Sequence, residues 1–256
     1  KMEDIESIEA HGNGSRFEAD VGDCDLDEVD VADRRSQRVR AAAQARMAGL
    51  RVVLEDLADY GNRAAILRSV EALGLLHVHE ITSGDTPCGK TARGRSIVNG
   101  AEKWLEIHKY DSAPSCASDL CREGFAVLAA MPPGAHCGGH APVPLDQVDF
   151  GIPTALVFGH EARGVSASML SACTGAFTVP LLGLTESLNV SVAAAVCCHF
   201  GRHRRMMALD LQDGRGDLRD EDLEALLKSY DERGKQHGFT AAIRSKRSQN
   251  QSSMLG

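Results

Sequence analysis

Residues Thr154 to Phe200 read TALVFGHEARGVSASMLSACTGAFTVPLLGLTESLNVSVAAAVCCHF, and this stretch decides the fold. Ala155 to Phe158 is an unbroken apolar run, as in a strand buried on both faces of a parallel sheet. Gly159-His160-Glu161-Ala162-Arg163-Gly164 follows at once. Two glycines flanking an acid let the backbone turn sharply and approach a ligand closely. Ala176 to Val179 is a second short strand, stopped by Pro180. Leu181 to Glu186 is a loop hinged on Gly183. Ser187-Leu188-Asn189 then opens a helix that is almost wholly apolar from Val190 to Phe200. Ser187 or Asn189 can cap it, since either accepts from orphan amides of the first turn. The order strand, turn, short helix, strand, loop, long helix predicts an α/β fold with a parallel sheet and flanking helices. Ligands of such sheets bind outside the carboxyl ends of the strands. From pattern alone, an ordinary packing unit with glycines used as turn residues stays equally open.

Upstream, Arg51 to Asp56 is strand-like. Asn62 to Leu73 carries Ala65, Ile66, Val70 and Leu73 at helical spacing, and Gly74 closes that helix. Leu76 to Ile81 alternates as another strand. Thr82 to Asn99 is long for a plain connection. Ala113 to Glu123 reads as a helix, and Phe125 to Ala130 as a buried strand ended by Met131-Pro132-Pro133-Gly134. His136, Cys137 and His140 lie close together but supply no fourth ligand, so no metal site is expected. Downstream, Gly201 to Arg205 is a basic helix end that suits the negative end of the helix dipole. Asp217 to Gly234 reads as an amphipathic helix with Leu218, Leu223, Leu226 and Leu227 on one side. Trp104 and the Cys197-Cys198 pair read as core.

The chain has 256 residues, 43% of them hydrophobic, enough for one large domain with flanking arms. No apolar run reaches membrane-spanning length and no signal-peptide pattern opens the chain, so no membrane partner is expected. Eight cysteines without a C-x-x-C pair point to a reducing intracellular compartment. That is the cytoplasm, or an organelle if a targeting peptide preceded Lys1. The net charge of −8 is unevenly spread: residues 1–33 hold twelve acids against Lys1 and Arg16, which leaves +2 on the remainder. Residues 1–33 read as a disordered acidic arm, 34–235 as the folded domain with helical extensions, and 236–256 as a polar basic tail. Arg34 to Met47 predicts a helix carrying Arg34, Arg35, Arg38, Arg40 and Arg46. It is either a solvated surface helix or one that contacts phosphates, and spacing does not choose between them.

Phe158-Gly159-His160-Glu161, Gly164-Val165-Ser166, Val179-Pro180-Leu181 with Gly183, and Ser187-Leu188-Asn189-Val190-Ser191-Val192-Ala193 together resemble the C-terminal signature of the SpoU/TrmH branch of the SPOUT RNA 2′-O-methyltransferases. Leu54-Glu55-Asp56, Asn62, Arg68-Ser69, Glu71-Ala72 and Gly74 resemble that family's first motif. Gly100-Ala101-Glu102-Lys103-Trp104-Leu105 is similar to a stretch of the TrmH subgroup. His160 departs from the pattern, standing where the family usually has Asn or Ala. The resemblance spans about residues 50–235. It implies a C-terminal deep trefoil knot, a homodimer, and S-adenosylmethionine held by backbone around Ala130, Met131, Gly159, Val179 and Leu188. It also implies that Arg68 acts on the ribose 2′-hydroxyl or a neighbouring phosphate. Asn62 and Glu161 would orient it, and Ser187 and Asn189 would hold the methionine moiety or an RNA phosphate. Arg35, Arg38, Lys90, Arg93 and Arg95 become candidate RNA contacts. The expected substrate is tRNA, at a guanosine of the D-loop. Ribosomal RNA enzymes share both main motifs, and a non-catalytic RNA-binding protein retaining the knot is the alternative outside enzymes.

Overall fold

The run Thr154 to Phe158 is the central strand of the molecule, and each of its residues is buried. In the computed structural model, residues 28–83, 100–135, 142–212 and 214–236 are described. The chain divides into a unit of residues 1–36 and a unit of residues 37–256. The helices are α1 (Glu28–Gln44), α2 (Tyr60–Ala72), α3 (Ala113–Arg122), α4 (Ala167–Ala172), α5 (Val190–Ala208) and α6 (Asp220–Gln236). The strands are β1 (Leu50–Glu55), β2 (His77–Ile81), β3 (Glu106–Tyr110), β4 (Ala126–Ala130), β5 (Val143–Pro144), β6 (Thr154–Phe158) and β7 (Gly175–Thr178). They form one seven-stranded sheet in the order β3-β2-β1-β6-β4-β7-β5, with each pair parallel. The chain thus runs outward from β1, crosses to β4, and returns to insert β6 between them.

Side chains alternate across this sheet with the period of two that strands impose. Val52, Leu54, Leu156 and Phe158 face α2 and α5, packing on Ile66, Leu67, Val70, Cys197 and Cys198. Val53, Ala155, Val157, Val127 and Ala129 face the other way, onto Cys116 and Leu120 of α3 and Met169 of α4. A large apolar side chain fully buried in this way stabilises the fold by about 1.5–3 kcal/mol. Both faces of β6 are covered, which is why its sequence is a continuous apolar run.

Several boundaries differ from the sequence reading. Helix α1 begins at Glu28, inside the stretch read as an acidic arm. Strand β3 and the two-residue β5 were not read at all. Asp217 lies before α6 rather than in it, where its carboxylate accepts from the amides of Ala48 and Gly49 and from Arg205 Nε. Arg205 also donates to the carbonyls of Phe150 and Ile152, so this arginine of the basic helix end is internal structure. Arg46, read as a phosphate-contacting candidate, is 1% exposed. Its guanidinium donates to Tyr230 Oη at 2.9 Å, to the Leu75 carbonyl at 2.9 Å and to Glu71 Oε1 at 2.9 Å. That ties the turn after α1 to α2 and α6 and takes Arg46 out of any RNA surface. Trp104 packs edge-on against Tyr230 at 5.0 Å, as core. Among the described residues, no helix is long and apolar enough to cross a membrane, and no cluster could hold a metal ion. His136, Cys137 and His140 lie outside the described residues.

Candidate active site

The loops that leave β4, β6 and β7 at their carboxyl ends surround a cavity of about 780 Å³. Ala130, Met131, Gly159, Val179 and Leu188 line it, together with Glu161, Ser187 and Asn189. Phe158, Phe177 and Cys197 add an apolar wall.

The loop after β6 closes on itself. The His160 amide donates to the Gly164 carbonyl at 3.1 Å, and the Gly164 amide to the His160 carbonyl at 2.7 Å. Gly164 takes φ +68°, a left-handed conformation that favours glycine. A Cβ on Gly159 would collide with the Gly164 carbonyl, so the two glycines of the motif are one steric requirement. Inside the loop, the Ala162 amide donates to His160 Nδ1 at 3.0 Å. Since Nδ1 accepts, the imidazole proton sits on Nε2. An asparagine oxygen could accept the same bond, which accounts for the loop tolerating His160.

Glu161 is the hub. Its carboxylate accepts from the amides of Ala58 at 3.0 Å and Asp59 at 3.1 Å, and from Asn62 Nδ2 at 3.0 Å. Burial alone would raise its pKa. The bonds from Asn62 and from the amides of Ala58, Glu161 and Asp59 outweigh that and hold it at about 2. Asn62 Oδ1 in turn accepts from Asn189 Nδ2 at 3.1 Å. Asn189 caps α5, accepting from the Ser191 amide at 2.8 Å, which settles the choice of cap in its favour over Ser187. Asn62, Glu161 and Asn189 therefore form one chain of hydrogen bonds between α2 and the cavity wall. Sequence reasoning assigned no role to Glu55 and Ser166. Glu55 is 2% exposed and accepts from the Ser166 amide at 2.9 Å, tying the end of β1 to the start of α4. Both residues stand inside the motifs, which was the available signal.

Arg68 is not brought to this cavity. It lies six residues beyond Asn62, which turns it about 120° round the helix. It is exposed and makes no hydrogen bond or ion pair among the described residues. Arg38 is exposed on α1. The side chain of Arg35, and Lys90, Arg93 and Arg95 entirely, lie outside the described residues.

The profile of the SpoU rRNA Methylase family matches residues 49–199. The chain belongs to that family. It is thereby an S-adenosylmethionine-dependent RNA methyltransferase of SPOUT fold. Among its relatives is a tRNA (guanosine(18)-2'-O)-methyltransferase of Thermus thermophilus, 33% identical over 175 residues that cover 68% of this chain and 84% of the relative. The crystal structure of the Aquifex aeolicus TrmH/SpoU tRNA modifying enzyme superposes with a TM-score of 0.65 at 25% identity, covering 79% of this chain and 98% of that one. The SpoU methyltransferase AviRb of Streptomyces viridochromogenes, solved in complex with AdoMet, shares the fold. Its TM-score is 0.52 at 21% identity, over 61% of this chain and 60% of that one. The cavity of this SpoU methylase fits such a cofactor: its volume lies in the range of about 300–1,000 Å³ usual for ligand sites. Small residues such as Ala130 and Gly159 leave backbone accessible, and apolar side chains offer a purine a dry wall.

Proposed function

We propose that this protein transfers a methyl group from S-adenosylmethionine to the ribose 2′-hydroxyl of a guanosine in tRNA, within the D-loop. The observation that carries the reading is the hydrogen-bonded chain Asn62–Glu161–Asn189, which couples the first motif to the wall of the cavity. The relatives named for tRNA guanosine, and the Gly100–Leu105 stretch, support the choice of tRNA over ribosomal RNA.

Ala130, Met131, Gly159, Val179 and Leu188 would hold the cofactor, which supplies the methyl group. What this chain must add is alignment of the acceptor oxygen behind the methyl carbon and a destination for the hydroxyl proton. A guanidinium stays protonated in proteins. Arg68 is therefore read as a phosphate clamp that stabilises the developing alkoxide rather than as a base, the hydroxyl proton passing to the clamped phosphate or to water as the thioether form of the cofactor leaves. Glu161, ionised down to about pH 2, keeps Asn62 and the Ala58–Asp59 backbone in place at neutral pH.

Because Arg68 lies off the cavity of its own chain, we propose a homodimer in which each Arg68 completes the site of the partner. An apolar groove beside it supports this, lined by Ser69 and Ala72 of α2 and Leu73 just after it, with Val196 and Phe200 of α5. Val196 is 42% exposed there, and Val192, one turn earlier on α5, is 49% exposed. The trefoil knot belongs to the same reading, as does a reducing compartment. Cys116, Cys121, Cys197 and Cys198 are free thiols, which suits such a compartment.

The test is to incubate total RNA with the protein and methyl-labelled S-adenosylmethionine, then digest each size fraction to nucleosides. Label in 2′-O-methylguanosine from tRNA is the expected result. Label confined to ribosomal RNA would reject the substrate, and a folded protein without affinity for the cofactor would reject the enzyme.

A further inference from the structure

A second cavity, of about 450 Å³, lies at the carboxyl ends of β1 and β2. It shares His160, Arg163 and Gly164 with the cofactor cavity, so the closed loop after β6 is a common wall. Ala58, whose amide Glu161 holds, also lines it. A nucleotide with its ribose at that wall therefore has this cavity within reach for its base. Enzymes that act on a nucleotide commonly read its base in such a pocket, through the Watson–Crick edge.

The charged side chains lining the cavity are Glu55, Asp56, Glu80, Arg63 and Arg163, a net negative set that suits a neutral donor-rich ligand better than a phosphate. Most of their capacity is already used. Glu55 is bound to Ser166, and Asp56 to the amide and hydroxyl of Ser83. Glu80 Oε1 accepts from Arg63 Nε at 2.7 Å, and Arg63 Nη1 donates to Glu102 Oε1 at 2.6 Å. Among the described residues, three groups have no partner: Glu80 Oε2, the Arg163 guanidinium and His160 Nε2–H. The cavity is thus lined by an acceptor fixed in place by its ion pair and by two donors of the shared wall.

We infer that this cavity takes the base of the target nucleotide and that Glu80 selects guanine there. Guanine presents two neighbouring donors, N1–H and the N2 amino group, that can converge on Glu80 Oε2, and it presents O6 and N7 to cationic or N–H donors. Adenine and cytosine each offer an amino group beside a ring acceptor, and uracil one N–H between two carbonyls, so each would set an acceptor against Glu80. The inference rests on the reading that a guanosine ribose is methylated.

The test is single-turnover methylation of tRNA transcripts carrying guanosine or inosine at the target. Inosine lacks only the N2 amino group. The wild-type protein is expected to act roughly tenfold more slowly on inosine. Glu80→Gln keeps an oxygen for Arg63 but turns an amide N–H₂ toward the base. It should slow guanosine roughly tenfold and bring the ratio of the two rates toward one, in a protein that remains folded by circular dichroism. Equal wild-type rates on guanosine and inosine would overturn the inference, whatever the variant does. An undiminished ratio in Glu80→Gln would remove Glu80 from the role. If the wild type methylates neither, the functional reading fails instead. Filter binding of the two transcripts then decides this inference: tighter binding of the guanosine form supports it, and equal binding overturns it.

Discussion

Asn62 joins two motifs that lie far apart in the chain, Glu161 at 99 residues and Asn189 at 127. Its amide is suited to this because it donates to a carboxylate and accepts from another amide at once. Asn62→Asp would set a carboxylate against Glu161. Two such groups about 3 Å apart do not both ionise, and Glu161 is the one held ionised by backbone amides. The proton therefore goes to the new carboxyl, whose pKa rises in the fold. The variant should lose about 1–3 kcal/mol at pH 7. That loss should shrink as pH falls through the raised pKa, so thermal melting of both proteins between pH 7 and 5 should show the gap narrowing. A gap independent of pH would contradict the network. The identities of Asn62, Glu161 and Asn189 were legible in the sequence through the motifs, but their mutual contact was not. Arg46 shows the opposite failure. An arginine among alanines reads as surface, and the partner that makes it internal, Tyr230, is 184 residues away.

Elements rich in aliphatic residues were legible and polar ones were not. Strands β1 and β6 announce themselves by burial on both faces, and β4 by an unbroken aliphatic run. Strand β3 reads EIHKY, and at the sheet edge it has no reason to be apolar throughout. It completes a ladder of imidazoles on one face: His79 stacks on His108 at 4.6 Å, and His77 Nδ1 lies 3.1 Å from His108 Nε2. Burial, then Arg51 and the neighbouring imidazoles, push His77 and His79 down to about 3, from 6.5. Both are thus neutral in the fold, whereas the unfolded chain binds their protons below about pH 6.5. Stability should be unaffected by them above that pH and fall progressively from there toward pH 3. His79 is 1% exposed, and neither ring nitrogen has a hydrogen-bond partner among the described residues. His79→Leu should therefore stabilise the protein at pH 7 by about 1–3 kcal/mol. It should also flatten the acid limb in urea unfolding at pH 7, 6 and 5. A destabilised variant with an unchanged acid limb would show that the ladder is not the source.

At the scale of the molecule, the strand order puts the first motif and the cofactor cavity side by side, because β6 returns between β1 and β4. That return was not legible: strand periodicity says which segments pair with a core, not which neighbour each takes. The charge distribution was legible, with the acid concentrated in residues 1–33 and the remainder at +2, which leaves the body able to hold RNA phosphate locally. On this account the molecule divides its labour. In the proposed reading, the loops after β4, β6 and β7 hold the cofactor, and Arg68 of α2 acts on the RNA at the partner's site rather than at the cavity of its own chain. Single-turnover transfer by Arg68→Ala, at saturating cofactor and RNA and beside equilibrium binding of S-adenosylmethionine, tests this most directly. The account predicts a rate lowered by roughly 10²–10³-fold with cofactor affinity unchanged. It predicts no rescue by Arg68→Lys, whose ammonium lacks the planar fork that grips phosphate. Near-normal transfer by Arg68→Ala, or a loss of cofactor affinity large enough to explain a slower rate, would contradict it.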